Sequence, residues 1–283
     1  MTEELNREGA GWQGYLELDY TRHPNGTRLT VPRMQAPLKI QRPFYPEDPT
    51  ICHSVILHTA GGIVGGDQLE QRVNLHPQSQ ALITTAAASK VYRSEGQQAR
   101  QKIEITLEAD ACLEWMPQET IIFKGAIYRQ DLQVELAPGA SWLGWEICRL
   151  GRTARGEKFD QGVYRSQTEI WCGGKPLWID RQQLAGADWC QHPAGLGGKP
   201  ILANLVWVKA PVSAALVQQL RDQWQPWDEN SSADIGVTRL TEGLICRYRG
   251  ASTSEVKGWF FRVWDILRPL YLGCSRVPVR VWV

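Results

Sequence analysis

No apolar run in this chain approaches the roughly 18 residues that a membrane span needs, and no basic segment followed by an apolar one opens it. A soluble, non-secreted protein is the expectation. Charge of one sign is lacking as well: 31 Lys and Arg stand against 30 Asp and Glu, a formal net charge of +1, so no global field holds a polyanion. Neither nucleic acid nor membrane is therefore expected as a partner. The cysteines Cys52, Cys112, Cys148, Cys172, Cys190, Cys246 and Cys274 are odd in number, widely scattered and without a CxxC pair. That argues against a disulfide framework and fits reduced thiols in a cytoplasm. Cys190-Gln191-His192 is a lone pair of potential ligands, a weak signal for structural zinc.

The common catalytic signatures are missing too. There is no GxSxG elbow and no HExxH, and His23, His53, His58, His76 and His192 do not cluster beyond the pair His53/His58, which could share a strand. The stretch "HTAGGIVGGDQLE" (58–70) carries Gly61, Gly62, Gly65 and Gly66, yet it has neither the GxxxxGK[ST] of a P-loop nor the GxGxxG of a dinucleotide fold. Its glycines suit tight bends between the strands "SVILHT" and "EQRVNL". Asp67, which closes the stretch, is the residue with chemistry to offer.

What the chain does have is alternation. Leu16, Leu18 and Tyr20, then Ile103, Ile105 and Leu107, then Leu132, Val134 and Leu136 recur at period 2, and turn signals such as "HPNG", "APG" and "CGGKP" arrive often. No strand-then-helix rhythm appears before residue 210, so the fold class reads as all-β, mainly β, and the length suits one large domain or two small ones. The 13 Trp fit large flat side chains on sheet faces or at an interface.

Three stretches share a plan: "RVNLHPQSQALITTAAASKVYR", "KIEITLEADACLEWMPQETIIF" and "LQVELAPGASWLGWEICRLGR". Each is an alternating strand, a short connection, a second apolar strand and then a polar segment. Leu75, Leu107 and Leu136 close the first strands at a nearly constant spacing, which predicts stacked two-strand units, each covering its neighbour's apolar face. Counted from Leu82, Leu113 and Leu143, the polar segments place Lys90, Glu119 and Arg152 on one edge of the stack, joined by Tyr92, Arg93 and Glu157.

Two helices are expected near the C-terminus. "STSEVKGWFFRVWDILRP" has Ser252 and Glu255 in capping-box spacing, and Val256, Trp259, Phe260, Val263, Trp264 and Leu267 on one face, ending at Pro269. A second helix is predicted within 211–224, a polar loop over 226–234, and a closing strand in "VPVRVWV" with Val277, Val279, Val281 and Val283 on one face.

Taken together, "GGIVGGD" (61–67), "TTAAASKVYRS" (84–94), "LEWMPQETIIF" (113–123), "LGRTARGEKF" (150–159) and the closing "VRVW" (279–282) resemble, in order, the motifs of the urease accessory protein D family (UreD, or UreH in some bacteria). The ending departs from the family's commoner "PRVW", and the 226–234 loop has no counterpart motif. The resemblance implies a single domain spanning 1–283, a stacked β supersandwich with two helices near the C-terminus, and a non-catalytic assembly factor. Such a factor joins accessory proteins F and G on the urease apoprotein in a hetero-oligomer and helps nickel reach the urease active site. It also implies an internal route for nickel in transit, with no permanently bound cofactor. On motif position, Asp67, Glu119 and Glu157 are the candidate acids of that route and Lys90 and Arg152 the counter-charges. Scattered single carboxylates would pass an ion along, where a closed Cys/His cage would hold it.

Two rivals remain open on sequence. Asp67, Glu119 and Glu157 could serve as acid and base in a β-sandwich enzyme processing a carbohydrate or small acid. Alternatively each acid ties adjacent β units together by a salt bridge, and the chain is a scaffold only.

Overall fold

The computed structural model describes residues 11–226 and 231–282. Residues 227–230 of the expected polar loop, and Val283 of the expected closing strand, lie outside the described residues.

Two sheets face each other. The first orders as β14 (Lys175–Ala185), β13 (Val163–Cys172), β11 (Ile127–Leu136), β8 (Ala99–Leu107), β5 (Gln68–Leu75), β1 (Gln13–His23) and β2 (Gly26–Gln35). The second orders as β16 (Asp234–Leu240), β17 (Gly243–Gly250), β15 (Ile201–Val208), β12 (Ser141–Leu150), β9 (Cys112–Met116), β6 (Gln80–Thr85), β4 (Ile51–His58) and β3 (Leu38–Ile40). The short strands β7 (Ser89–Val91) and β10 (Thr120–Ile122) attach beside β12.

From β4 to β13 the chain passes from one sheet to the other and back, so like strands stack in parallel without any crossover helix. Leu75, Leu107 and Leu136 are register partners, as their spacing predicts. The second strands align one residue away from the expected count: Leu113 pairs with Ala81 and Trp142, while Leu82 and Leu143 flank Glu114. These strands are buried on both faces, so no alternation marks their phase.

Burial on both faces comes from helices. Ala81, Leu113 and Trp142 join the core between the sheets. Leu82 and Leu143 pack outward against α2 (Ala214–Asp222) and α3 (Thr253–Leu272). Helix α3 begins where the Ser252/Glu255 spacing predicts and α2 lies within the predicted 211–224, with the Ser213 and Ser252 hydroxyls accepting from the N–H of Leu216 and Glu255. A short helix, α1 (Gly186–Gln191), was not expected. No helix among the described residues is long and apolar enough to cross a membrane, and all seven cysteines are unpaired thiols.

Two expectations near the end of the chain are corrected. Helix α3 does not stop at Pro269 but continues to Leu272. Proline removes one N–H, yet Arg268 and Tyr271 on either side are anchored by Glu114 of β9, and Gly273 closes the helix in the left-handed conformation. The closing segment forms no strand either: Arg280–Trp282 is a single 3-10 turn. Trp282 nevertheless ties this end to the sheet, stacking on Trp145 at 5.4 Å and donating from Nε1 to Thr84 Oγ1 at 3.1 Å.

The anchor of α3 is an ionic node. Fully buried Arg268 donates from Nε to Glu114 at 3.0 Å and from Nη1 and Nη2 to Glu47 at 2.8 and 2.7 Å. Glu114 also accepts from Tyr271 and Trp264, and Glu47 lies 2.7 Å from His53 Nε2. Burial pushes the Glu47 carboxyl up, but His53 and Arg268 outweigh it and hold the group at about 2.

Candidate functional site

The polar segments do line up on one edge of the stack. Ser89, Thr120 and Cys148 are register partners, followed by Lys90, Ile121 and Arg149, and backbone bonds continue the ladder from Ile63 to Lys90 and from Ser94 to Gly125 to Gln161. Lys90 therefore sits beside Ile121 and Arg149, not beside Glu119 and Arg152.

Each sequence-selected acid has its own donors. Asp67 is fully buried, and its two oxygens accept the backbone N–H of Trp12 at 2.8 Å and of Val64 at 2.9 Å. Glu119 pairs with Lys257 of α3 at 2.5 Å. Glu157 accepts from the Arg152 side chain and from the backbone N–H of Arg152 and Lys124, both at 3.1 Å. Partial burial raises the Glu157 carboxyl, but these donors prevail and hold it below the ordinary range. Of the expected contacts, Arg152 with Glu157 is present.

Around them, Tyr92 donates to the Gly61 carbonyl at 3.0 Å and meets Phe123 edge-on, while Arg152 stacks over Phe123 at 4.5 Å. Arg93 and Lys90 point to solvent with no carboxylate partner among the described residues. The glycines act locally: a side chain at Gly62 would strike the Tyr92 ring and the Lys90 carbonyl, and Gly66 needs its φ of +92°.

A second polar feature runs between the sheets. On the inner face of the first sheet, Gln101, Gln130, Ser166 and Gln182 form one register row. Gln71, Thr168 and Asp180 fall in the next, sharing it with Ile103 and Leu132. Opposite, Glu146, Asn204 and Arg247 are partners across β12, β15 and β17.

The two faces are bonded to each other. Gln130 Nε2 and Thr168 Oγ1 donate to Glu146, the latter at 2.9 Å, and Arg247 donates to Asp180 at 3.1 Å, while Gln182 of the same strand donates to Asp180 at 2.7 Å. Burial pushes the Glu146 carboxyl up against the pull of its Thr168 and Gln130 donors, and the negative charge of Asp180 adds to the rise. It therefore favours its protonated form more than a free carboxyl does.

Small cavities follow this seam. One of about 120 Å³ lies under the glycine stretch, lined by His58, Gly62, Lys90, Gln71 and Gln101. It shares Gln71, Gln101, Thr85 and Ser89 with a cavity of about 50 Å³ that reaches Gln130, Glu146 and Cys148. A cavity of about 10 Å³ between Trp115, Trp142 and Trp178 shares Glu146 with the latter, and shares Asn204 with an open cavity of about 610 Å³ lined by Asp180 and Arg247. Among the described residues, no three His, Cys, Asp or Glu come together as a metal-holding group.

These seam residues escape a reading of charged motifs, because the seam is mostly amides. A signal existed: Gln71, Gln101 and Gln130 fall in the inward phase of strands whose other inward residues are Leu69, Val73, Ile103, Ile105, Leu132 and Val134. A glutamine at a core position needs a polar partner: Gln101 and Gln130 share the Tyr128 hydroxyl, and Gln130 donates to Glu146.

The sequence model of the family described as UreD urease accessory protein matches residues 13–283. A urease accessory protein UreD of Nostoc punctiforme is 59% identical over 273 residues, covering 96% of each chain. Proteins of the same description from a second Nostoc and from Acaryochloris marina are 58% and 52% identical, the latter over 99% of this chain and 98% of its own length.

Proposed function

The chain belongs to the UreD family of urease accessory proteins, and from that membership we propose that it is a non-catalytic cytoplasmic maturation factor that joins accessory proteins F and G on apo-urease and passes nickel inward along the seam. The observation that carries this reading is the row of amides and single carboxylates set in an otherwise apolar inter-sheet core. A divalent ion moving through protein must trade water for other oxygens at each step, without meeting a set of ligands strong enough to stop it. His58, then Gln71 and Gln101, then Glu146 beside Cys148, then Asp180 present such donors one or two at a time.

In this reading Glu146 is the central station. Burial and the nearby Asp180 charge raise its carboxyl, and its Gln130 and Thr168 donors hold it in place to meet an arriving ion. Asp67, Glu119 and Glu157 hold the edge loops that frame the first cavity, with Lys90, Tyr92, Arg93 and Arg152 around them. The involvement of each acid with its own donors supports an accessory role over a paired-carboxylate hydrolase, which needs two acids free to act on a substrate between them.

The test is urease matured with Glu146→Gln or Glu146→Leu in place of the parent chain. Nickel content of the urease is expected to fall while the complex with F, G and apo-urease still assembles. Full nickel content with Glu146→Leu would exclude the seam as the route.

A further inference from the structure

Beneath the glycine stretch, two donors stand without partners in the same cavity. His58 Nε2 and Gln71 Oε1 are shut off from solvent, neither has a hydrogen-bond partner, and both residues line the 120 Å³ space. The His58 tautomer is decided by its other nitrogen: Nδ1 lies 3.2 Å from the Ala60 carbonyl, an acceptor only, so Nδ1 carries the proton and donates. Nε2 then presents a lone pair.

We propose that His58 Nε2 and the Gln71 amide oxygen form a weak site for a divalent cation of borderline softness, such as Ni²⁺, completed by water. This deepens the nickel-route reading, on which it rests for the identity of the cargo, by assigning the first binding step to these two side chains.

The chemistry suits such an ion. A neutral imidazole and an amide oxygen are acceptable to Ni²⁺, whereas Mg²⁺ and Ca²⁺ favour all-oxygen sets with carboxylates. The Ala60 carbonyl, by holding the proton on Nδ1, leaves the Nε2 lone pair for the ion. Asp67 supplies a nearby negative charge felt at the ring, although its own oxygens are engaged by Trp12 and Val64. Lys90 opposes it from the rim, but its side chain is exposed and screened by solvent. Two protein donors give brief retention, and Gln71 also borders the next cavity toward Glu146. The site thus has an exit.

The probe is Ni²⁺ added to the purified full-length chain carrying no histidine tag, followed by equilibrium dialysis and X-ray absorption. The parent is expected to show one imidazole on nickel. His58→Ala should remove that signature and weaken binding by roughly ten- to a hundredfold, the span seen when a metal loses a supporting group. His58→Asn offers a fold-preserving check, since its amide can still donate toward Ala60 while lacking Nε2. Gln71→Glu should tighten binding and retain the imidazole, and His76→Ala, an exposed histidine paired with Glu108, should change nothing.

An imidazole signature that survives in both His58 variants, or its absence from the parent, overturns the site. The two readings fail separately. Loss of the signature in His58→Asn with normal nickel in matured urease leaves the site standing and removes it from the route. Dependence of urease nickel on Glu146, with no imidazole on nickel in the parent, overturns the site and leaves the route.

Discussion

Replacing Arg268 by Leu tests the anchoring of α3 most severely. The substitution deletes bonds at 3.0 and 3.2 Å to Glu114 and at 2.8 and 2.7 Å to Glu47, together with one at 2.6 Å to the Ser275 carbonyl. Glu114 is fully buried and keeps only the Tyr271 and Trp264 donors, so its charge is left without a cation. Removing one partner from a buried pair costs about 3–5 kcal/mol, and for a chain of this length each kcal/mol lowers the melting temperature by about 2–4 °C. A fall of at least about 6 °C is expected by thermal melting of the full chain. Arg268→Leu combined with Glu114→Leu should recover a large part of the loss, because no stranded carboxylate remains on β9. Arg268→Leu melting within about 2 °C of the parent, with no recovery in the double variant, would refute the node as the anchor.

Two further outcomes are expected. The folded-state value of about 2 for Glu47, against an ordinary 4.5, means that its contribution is complete above pH 4.5 and is lost as pH falls toward 2. At about 1.4 kcal/mol per pKa unit the contribution is about 3 kcal/mol, so Glu47→Gln should lie well below the parent at pH 7, with the gap narrowed to about half or less by pH 3; equal gaps at both pH values would contradict the assignment. Asp67→Ala leaves the Trp12 and Val64 N–H groups without an acceptor, a loss of about 1–3 kcal/mol, and should lower urease activation without abolishing complex assembly. Activation equal to the parent would remove Asp67 from any part in nickel transfer.

Local rules accounted for much of the architecture. Ser252 and Glu255 marked the start of α3, period-2 leucines marked the strands facing the inter-sheet core, and the Leu75, Leu107, Leu136 spacing announced the stacking. Each depends on residues near in sequence, or on a repeat that restates itself. The missed details share another cause. Glu114 occupies a strand with both faces buried, where no alternation reveals which way a side chain points, and its partners Arg268 and Tyr271 are 154 and 157 residues away. Pro269 looked like a stop because its cost is local, while the anchors that carry α3 past it are not.

The candidate site divides in the same way. By itself the sequence determined that the polar segments share an edge and that the glycine stretch bends the chain beside Asp67. Only the tertiary structure decided that Glu119 is taken by Lys257 of a distant helix, that Asp67 spends its oxygens on backbone N–H groups, and that Gln130 and Thr168 of neighbouring strands meet Glu146 between the sheets. The physical reason is that a repeat sets register within a sheet, whereas the distance between facing sheets, and so which polar groups become neighbours across it, depends on how the whole core packs.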